Sequence, residues 1–324
     1  MKLSIIVPIY NVEEYIARCA LSLYNQTASV NDYEVVFVND GTKDNSIQVL
    51  RNTINFDSAP NFHIVEKTNG GLSSARNYGV KNSSGDYVWF VDSDDWVDSD
   101  SVEFLLYLMK SLPDVICTTQ MYSNIGDKEC DKYSHAINFE GKGSEMFQYS
   151  PPICSVAYIC KRSFLTENNL EFIEGILHED SELIPRLLYV AKHVIATDRP
   201  LYHHFMREGS IAHVINPHRY DSYFIMLDSL SDFYNTNVEE CDKPLFARMF
   251  AAQFYGLLSI SRNTSDEIRS KVNNYISHNK TLARMMKKSP DIQTKIIGFF
   301  ISLRPSSAIK MADLFWKLKG NHGK

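Results

Sequence analysis

Asp92-Ser93-Asp94-Asp95 places three carboxylates within four residues, directly after an apolar run, Tyr87 to Asp92 (YVWFVD). Carboxylates this close repel one another unless a cation lies among them. Oxygen ligands of this kind suit Mg²⁺ or Mn²⁺, with diphosphate oxygens and water completing the coordination. The other reading is an acidic turn that caps the helix following it. Asp40-Gly41, between Asn39 and Thr42, also ends an apolar run. Its carboxylate suits a nucleobase or ribose donor, or else a turn and the cap of the next helix. Thr68 to Asn77 (TNGGLSSARN) sets two glycines before small residues. That pattern lets a ligand approach backbone donors at a helix start, with Arg76 one turn in. His178-Glu179-Asp180 precedes a helix with Leu183, Ile184, Leu187 and Leu188 on one face. A carboxylate there can take a proton from an acceptor hydroxyl, or simply favour the helix dipole. Tyr202 to Ser210 (YHHFMREGS) pairs His203 and His204 with Arg207. Neighbouring histidines on a strand point to opposite faces, so at most one of the pair is a ligand.

The elements that must hold these residues alternate between strand and helix. Strands are expected at Leu3 to Val7, stopping at Pro8, and at Tyr33 to Asn39, Phe62 to Glu66 and Tyr87 to Asp92. Helices are expected at Glu13 to Tyr24, Asp44 to Thr53 and Ser73 to Lys81. Runs this apolar in this alternation predict an α/β domain with a doubly wound, mostly parallel sheet flanked by helices. The chemistry-bearing residues fall just past the strand ends, where ligands bind in open sheets of this type. The pattern continues through a helix at 101–111, a strand at 114–119, a polar excursion at 122–144 and further strand and helix pieces to Val194. From about residue 217 it becomes mainly helical. The expected domains are therefore a catalytic domain over 1–215 and a helical region over 216–324.

The chain has 324 residues and a net charge of −6, without the strongly basic face that a nucleic-acid partner requires. Residues 281–324 hold nine Lys/Arg against two Asp/Glu, so the remainder is markedly acidic. Such asymmetry marks the C-terminal part as an interaction surface. Cys19, Cys117, Cys130, Cys154, Cys160 and Cys241 form no C-x-x-C pair, which argues against a zinc site. No signal peptide and no stretch of about 18 apolar residues is evident, so a cytoplasmic protein with free thiols is expected.

Taken in order, these blocks resemble the family 2 glycosyltransferases of the GT-A fold, especially bacterial enzymes that build capsule, exopolysaccharide or lipopolysaccharide. The blocks are LSIIVPIYNVEEYIARCALSLYNQT, VVFVNDGTKDNS, NGGLSSARNYGVKNSSGDYVWFVDSDD, FIEGILHEDSEL and YHHFMREGSI, spanning about residues 1–215. The resemblance implies an inverting transferase. It would move a sugar from a nucleotide diphosphate sugar, by default a UDP-sugar, to a hydroxyl of a glycan or lipid-linked acceptor, with Mn²⁺ or Mg²⁺ as cofactor. It implies that Pro8, Tyr10 and Glu13 line the base pocket and that Asp40 contacts the base. Arg76 and Asn77 lie near the nucleotide, Asp92 and Ser93 by the ribose. Asp94 ligates the metal with Asp95 beside it, and Asp180, paired with Glu179, is the catalytic base. His204 and Arg207 contact the diphosphate or the metal.

Rival readings are a non-catalytic nucleotide-sugar-binding scaffold and a sugar nucleotidylyltransferase. The latter favours a glycine-rich, basic first loop, whereas the first strand here ends Pro8-Ile9-Tyr10-Asn11. A glycoside hydrolase also uses two carboxylates but needs no acidic tetrad. At the C-terminus, 294–303 (TKIIGFFISL) and 308–318 (AIKMADLFWKL) are short apolar segments with basic flanks. They suit an in-plane membrane-surface contact, or packing on the catalytic domain or across a homodimer.

Overall fold

The structure, a computed structural model, describes residues 1–119, 122–125, 128–132, 137–206 and 217–313. Its contacts divide the chain into two compact units. The first comprises 1–143, 151–175 and 190–214; the second comprises 144–150, 176–189 and 215–324. The second unit includes the segment carrying Glu179 and Asp180, which lies within the 1–215 span expected for the catalytic domain.

The first unit is built on an eight-stranded sheet. Its strands are β1 (Leu3–Ile9), β2 (Tyr33–Asn39), β3 (Phe62–Glu66), β4 (Tyr87–Phe90), β6 (Val115–Thr118), β9 (Phe139–Gly141), β10 (Tyr158–Lys161) and β11 (Val194–Thr197), in the order β3-β2-β1-β4-β10-β6-β11-β9. β3, β2, β1 and β4 run parallel, as do β6 and β11, while β10 and β9 are antiparallel to their neighbours. A smaller sheet orders β5 (Trp96–Val97), β12 (Tyr202–Phe205), β7 (Tyr122–Ile125) and β8 (Lys128–Lys132) as β5-β12-β7-β8. The helices of this unit are α1 (Ile16–Tyr24), α2 (Ser46–Thr53), α3 (Leu72–Lys81), α4 (Ser101–Met109) and α5 (Arg162–Glu167). The central strands are buried along their whole length, as continuous β-branched and aromatic runs require when both faces of a sheet are covered.

β1 runs through Pro8 to Ile9, two residues past the Val7 end expected from the sequence. Ile6 O accepts from Val91 N while Ile9 O accepts from Asp40 N, so even-numbered residues face β4 and odd-numbered ones face β2. The β4 ladder ends at Ile6↔Phe90. Pro8 therefore points its missing N–H where no partner strand remains, and a proline there costs no ladder bond.

The second unit is helical. α6 (Glu179–Val190) buries Leu183, Ile184, Leu187 and Leu188, the face read from the sequence. α7 (His218–Thr236), α8 (Lys243–Ile260), α9 (Asp266–His278), α10 (Lys280–Lys288) and α11 (Ile292–Leu303) follow. Its core includes Met226, Leu227, Leu230, Phe246, Phe250 and Phe254; each such fully buried side chain contributes about 1.5–3 kcal/mol.

Candidate functional site

The ends of β1, β2 and β4 carry the first group of site residues. Pro8 is buried in β1, whereas Tyr10 and Glu13 are exposed just beyond it. The connection from β1 to α1 is tied to the one after β2. Asn11 N donates to Thr42 Oγ1 (2.8 Å), Val12 N to Ser46 Oγ (3.0 Å), Glu13 N to Asp44 Oδ2 (2.9 Å) and Asn45 N to Glu13 Oε2 (2.8 Å). Glu13 thus shapes this rim through its carboxylate, and Tyr10 is exposed to solvent.

Asp40 is 2% exposed. Its Oδ1 accepts from Lys67 Nζ (2.6 Å) and Gly70 N (3.0 Å), and its Oδ2 accepts from Gly71 N (2.9 Å). It therefore braces the glycine turn and does not cap the following helix. The same bonds correct the expectation for that turn: the amides of Gly70 and Gly71 already hold a carboxylate. Gly71 adopts φ +85° as it leads into α3, a conformation open to glycine.

Arg76, expected to meet a phosphate or a base, is 1% exposed and donates from Nη2 to Asp92 Oδ1 at 2.9 Å. Its guanidinium lies 5.3 Å from the Phe172 ring. It holds Asp92 in place from behind. Asn77, expected near the nucleotide, clamps backbone instead: Nδ2 donates to Phe172 O (2.9 Å) and Oδ1 accepts from Phe172 N (3.0 Å). Both amide functions are engaged, so Asn77 organises the 172–174 segment.

The tetrad divides its carboxylates between two tasks. Asp95 is 1% exposed, accepting from Tyr202 Oη at Oδ2 (2.5 Å) and from Phe205 N at Oδ1 (2.7 Å). Burial, and then the charges of Asp94 and Asp92, push its carboxyl well up, against the lowering effect of those two bonds. Tyr202 Oη also accepts from Asp92 N (3.1 Å), so one hydroxyl ties β12 to both ends of the tetrad. Ser93 is buried, while Asp92 and Asp94 are half-buried. Asp94 O accepts from Arg18 Nη2 (3.1 Å), and that guanidinium stacks 3.8 Å from the Trp96 ring centroid.

Two carboxylates of the tetrad, not three, thus reach partial exposure. Among the described residues, the tetrad and His204 do not bring three ligand atoms within 4.8 Å of one another. Two half-buried carboxylates backed by a buried third, whose ionisation they oppose, nonetheless form a donor set that a hard divalent cation would relieve. Such cations commonly keep several waters and take phosphate oxygens as further ligands. Within β12, His203 Nε2 meets Asp98 Oδ1 (2.8 Å) and its ring stacks on Trp96. Strand alternation gives His204 the other face. Arg207 lies outside the described residues.

In the second unit, Glu179 and Asp180 occupy the first turn of α6 and are half-buried. His178, just before them, adopts φ +67°. Its Nε2 accepts from Arg219 Nε (3.0 Å). Burial, and then the Arg219 charge, bring its pKa down to about 4, so the imidazole is neutral at neutral pH. Glu182, fully buried, accepts from Arg186 (2.7 and 2.6 Å) and from Ser229 Oγ (2.5 Å). It anchors the turn that presents Asp180. Sequence reasoning missed Tyr202, Arg18, Lys67 and Glu182, whose roles arise from contacts distant along the chain or internal to a helix.

A large, mostly parallel sheet flanked by helices, with an acidic tetrad at a central strand end, defines the GT-A class of fold. The Staphylococcus aureus TarS structure in complex with UDP-GlcNAc is similar, with a TM-score of 0.77 over 98% of this chain and 92% of that one at 19% identity. Residues 4–168 match the family described as Glycosyl transferase family 2. The chain belongs to that family. Among curated relatives, GlyA of Streptococcus pneumoniae is 33% identical over 225 residues, 66% of this chain and 32% of that protein. The putative glycosyltransferase EpsH of Bacillus subtilis is 30% identical over 261 residues, 75% of this chain and 72% of EpsH. The aligned region thus spans about a third of GlyA.

Proposed function

We propose that this protein is an inverting, metal-dependent glycosyltransferase. It transfers a hexosyl or N-acetylhexosaminyl group from a UDP-sugar to a hydroxyl of a glycan or lipid-linked acceptor in bacterial surface polysaccharide synthesis. The observation carrying this reading is the tetrad: Asp95 locked inward by Tyr202 and Phe205, with Asp92 and Asp94 half-buried at the end of a central strand. The family supports a sugar transfer, and the UDP-GlcNAc held by TarS supports the choice of donor.

On this reading, Tyr10 and Glu13 form the rim over the base, and Asp40 sets the turn beside it. Asp92, fixed by Arg76, accepts from the ribose, with Ser93 next to it. Asp94 and His204 would hold Mn²⁺ or Mg²⁺, and the resemblance gives Arg207 the diphosphate. The bound cation supplies neutralisation of the charge that develops on the departing diphosphate. Asp180 takes the proton from the acceptor hydroxyl as that oxygen attacks the anomeric carbon from the face opposite the leaving group. One displacement inverts the carbon, and alignment of the two substrates supplies much of the acceleration. His178, held neutral, adds no positive charge beside the base.

The test is release of nucleoside diphosphate from a panel of UDP- and GDP-sugars, with and without acceptor oligosaccharides, in Mn²⁺, Mg²⁺ or EDTA. The product anomer is read by NMR. Metal-dependent turnover of a UDP-sugar with inversion is the expected result. Retention of configuration overturns the mechanism, and absence of nucleotide binding under every condition favours a scaffold.

A further inference from the structure

α11 is apolar on two opposite faces. Its underside, Thr294, Ile297, Gly298 and Ile301, is buried. Gly298 fixes that face: a Cβ there would meet Met286 Cβ at 2.7 Å and Lys287 N at 2.9 Å. The helix therefore lies hard against α10 and cannot roll. Its outer face presents Ile292 (73% exposed), Ile296 (51%), Phe299 (53%), Phe300 (48%) and Leu303 (63%). At 100° per residue these five fall within an arc of about 100°, opposite the buried face. Lys295 borders the arc on one side and Arg304 on the other, both exposed. The two acidic residues of this region are engaged elsewhere, Asp291 by Arg248 (3.0 Å) and Asp313 by Arg262 (2.7 Å). A positive border around an apolar stripe is therefore what this surface offers.

We infer that α11 is a docking surface for an anionic lipid bilayer, lying in the plane of the interface with Phe299, Phe300 and Leu303 inserted among the headgroups. Charge selects this occupant. An isologous contact with a second copy would set the same basic borders against each other, whereas a negatively charged leaflet complements them. Aromatic and aliphatic residues on one face with Lys and Arg at its edges form the pattern of an interfacial helix. The inference does not depend on the transferase reading, because vesicle binding is read without turnover.

The experiment uses the full chain and vesicle flotation, comparing phosphatidylcholine with phosphatidylcholine–phosphatidylglycerol mixtures, alongside light scattering for oligomeric state. The protein should partition onto the anionic vesicles and be released by salt. Phe299→Ser with Phe300→Ser should lower partition about tenfold or more, and Lys295→Glu with Arg304→Glu about tenfold or more. All four residues are exposed, so both double variants should unfold at the wild-type temperature and bind nucleotide as before. No partition onto anionic vesicles, partition unchanged by both pairs of substitutions, or self-association dispersed by the Phe299/Phe300 variant without vesicle binding would each overturn the inference.

Discussion

Tyr202 carries more of the candidate site than its place in the sequence suggests. Its hydroxyl donates to Asp95 and accepts from the amide of Asp92, fixing both ends of the tetrad in one contact. Tyr202→Phe removes both bonds while keeping the ring that packs edge-on to Trp89. The affinity for Mn²⁺ in the presence of UDP should fall about ten- to a hundredfold, as when a residue supporting metal ligands is lost. Isothermal titration measures this, and an unchanged affinity would free Tyr202 from that role. At this scale the sequence announced the carboxylates but not which would turn inward. Asp92, Asp94 and Asp95 are chemically alike, and their division of labour depends on Tyr202 and Phe205, more than a hundred residues away. The same holds for Arg76 and Asn77: the residue types suited a nucleotide, yet their partners are Asp92 and the backbone of Phe172.

Elements were more legible than contacts. The spans Tyr33–Asn39 and Phe62–Glu66 read from the sequence are those observed; β2 is buried nearly throughout, whereas β3 is an edge strand, half-buried beyond Phe62. The antiparallel insertion of β10 between β4 and β6, and the pairing of the small second sheet, were not legible in composition. Pairing depends on register as much as composition. α3 packs through Gly79, where a Cβ would come within 2.3 Å of Ile6 Cγ2 and 3.2 Å of Val38 Cγ2. Neither β-branched neighbour can swing aside, so Gly79→Ala should destabilise the first unit by about 1–3 kcal/mol. A denaturation midpoint equal to the wild type's would contradict this. At the opposite ends of the strands, Glu34 on β2 accepts from Ser4 Oγ (2.5 Å), Ser84 N (2.6 Å) and Oγ (2.8 Å), and Lys2 Nζ (3.1 Å). Burial raises its pKa, but these hydrogen bonds outweigh it and lower the value from 4.5 to about 2. An acid held below its unfolded pKa stabilises the fold above that pKa and loses the contribution as pH falls through the folded value. Stability at neutral pH should include up to about 3 kcal/mol from Glu34, fading between pH 4.5 and 2. Glu34→Gln should flatten this stretch of the unfolding-against-pH curve, and an unaltered slope would count against the assignment.

At the scale of the whole molecule, each unit carries a distinct part of the proposed chemistry. The residues proposed for the donor, Asp40, Asp92, Asp94 and His204, belong to the first unit, and the proposed base, Asp180, to the second. The sequence showed where the α/β alternation gives way to helices. It did not show that 176–189 clusters with the C-terminal helices, because that depends on which faces α6 buries, not on its own periodicity. Among the described residues, no helix is long and apolar enough to cross a membrane, and the five described cysteines are free thiols. The division of roles between units makes the central claim separable by substitution. Calorimetric UDP binding with Mn²⁺ should be measured beside sugar transfer for Asp94→Ala and Asp180→Asn. The account predicts that Asp94→Ala loses metal-dependent binding and turnover together, whereas Asp180→Asn keeps wild-type affinity and loses turnover by at least about a hundredfold. Full activity in Asp180→Asn, or metal-dependent UDP binding undiminished in Asp94→Ala, would contradict it.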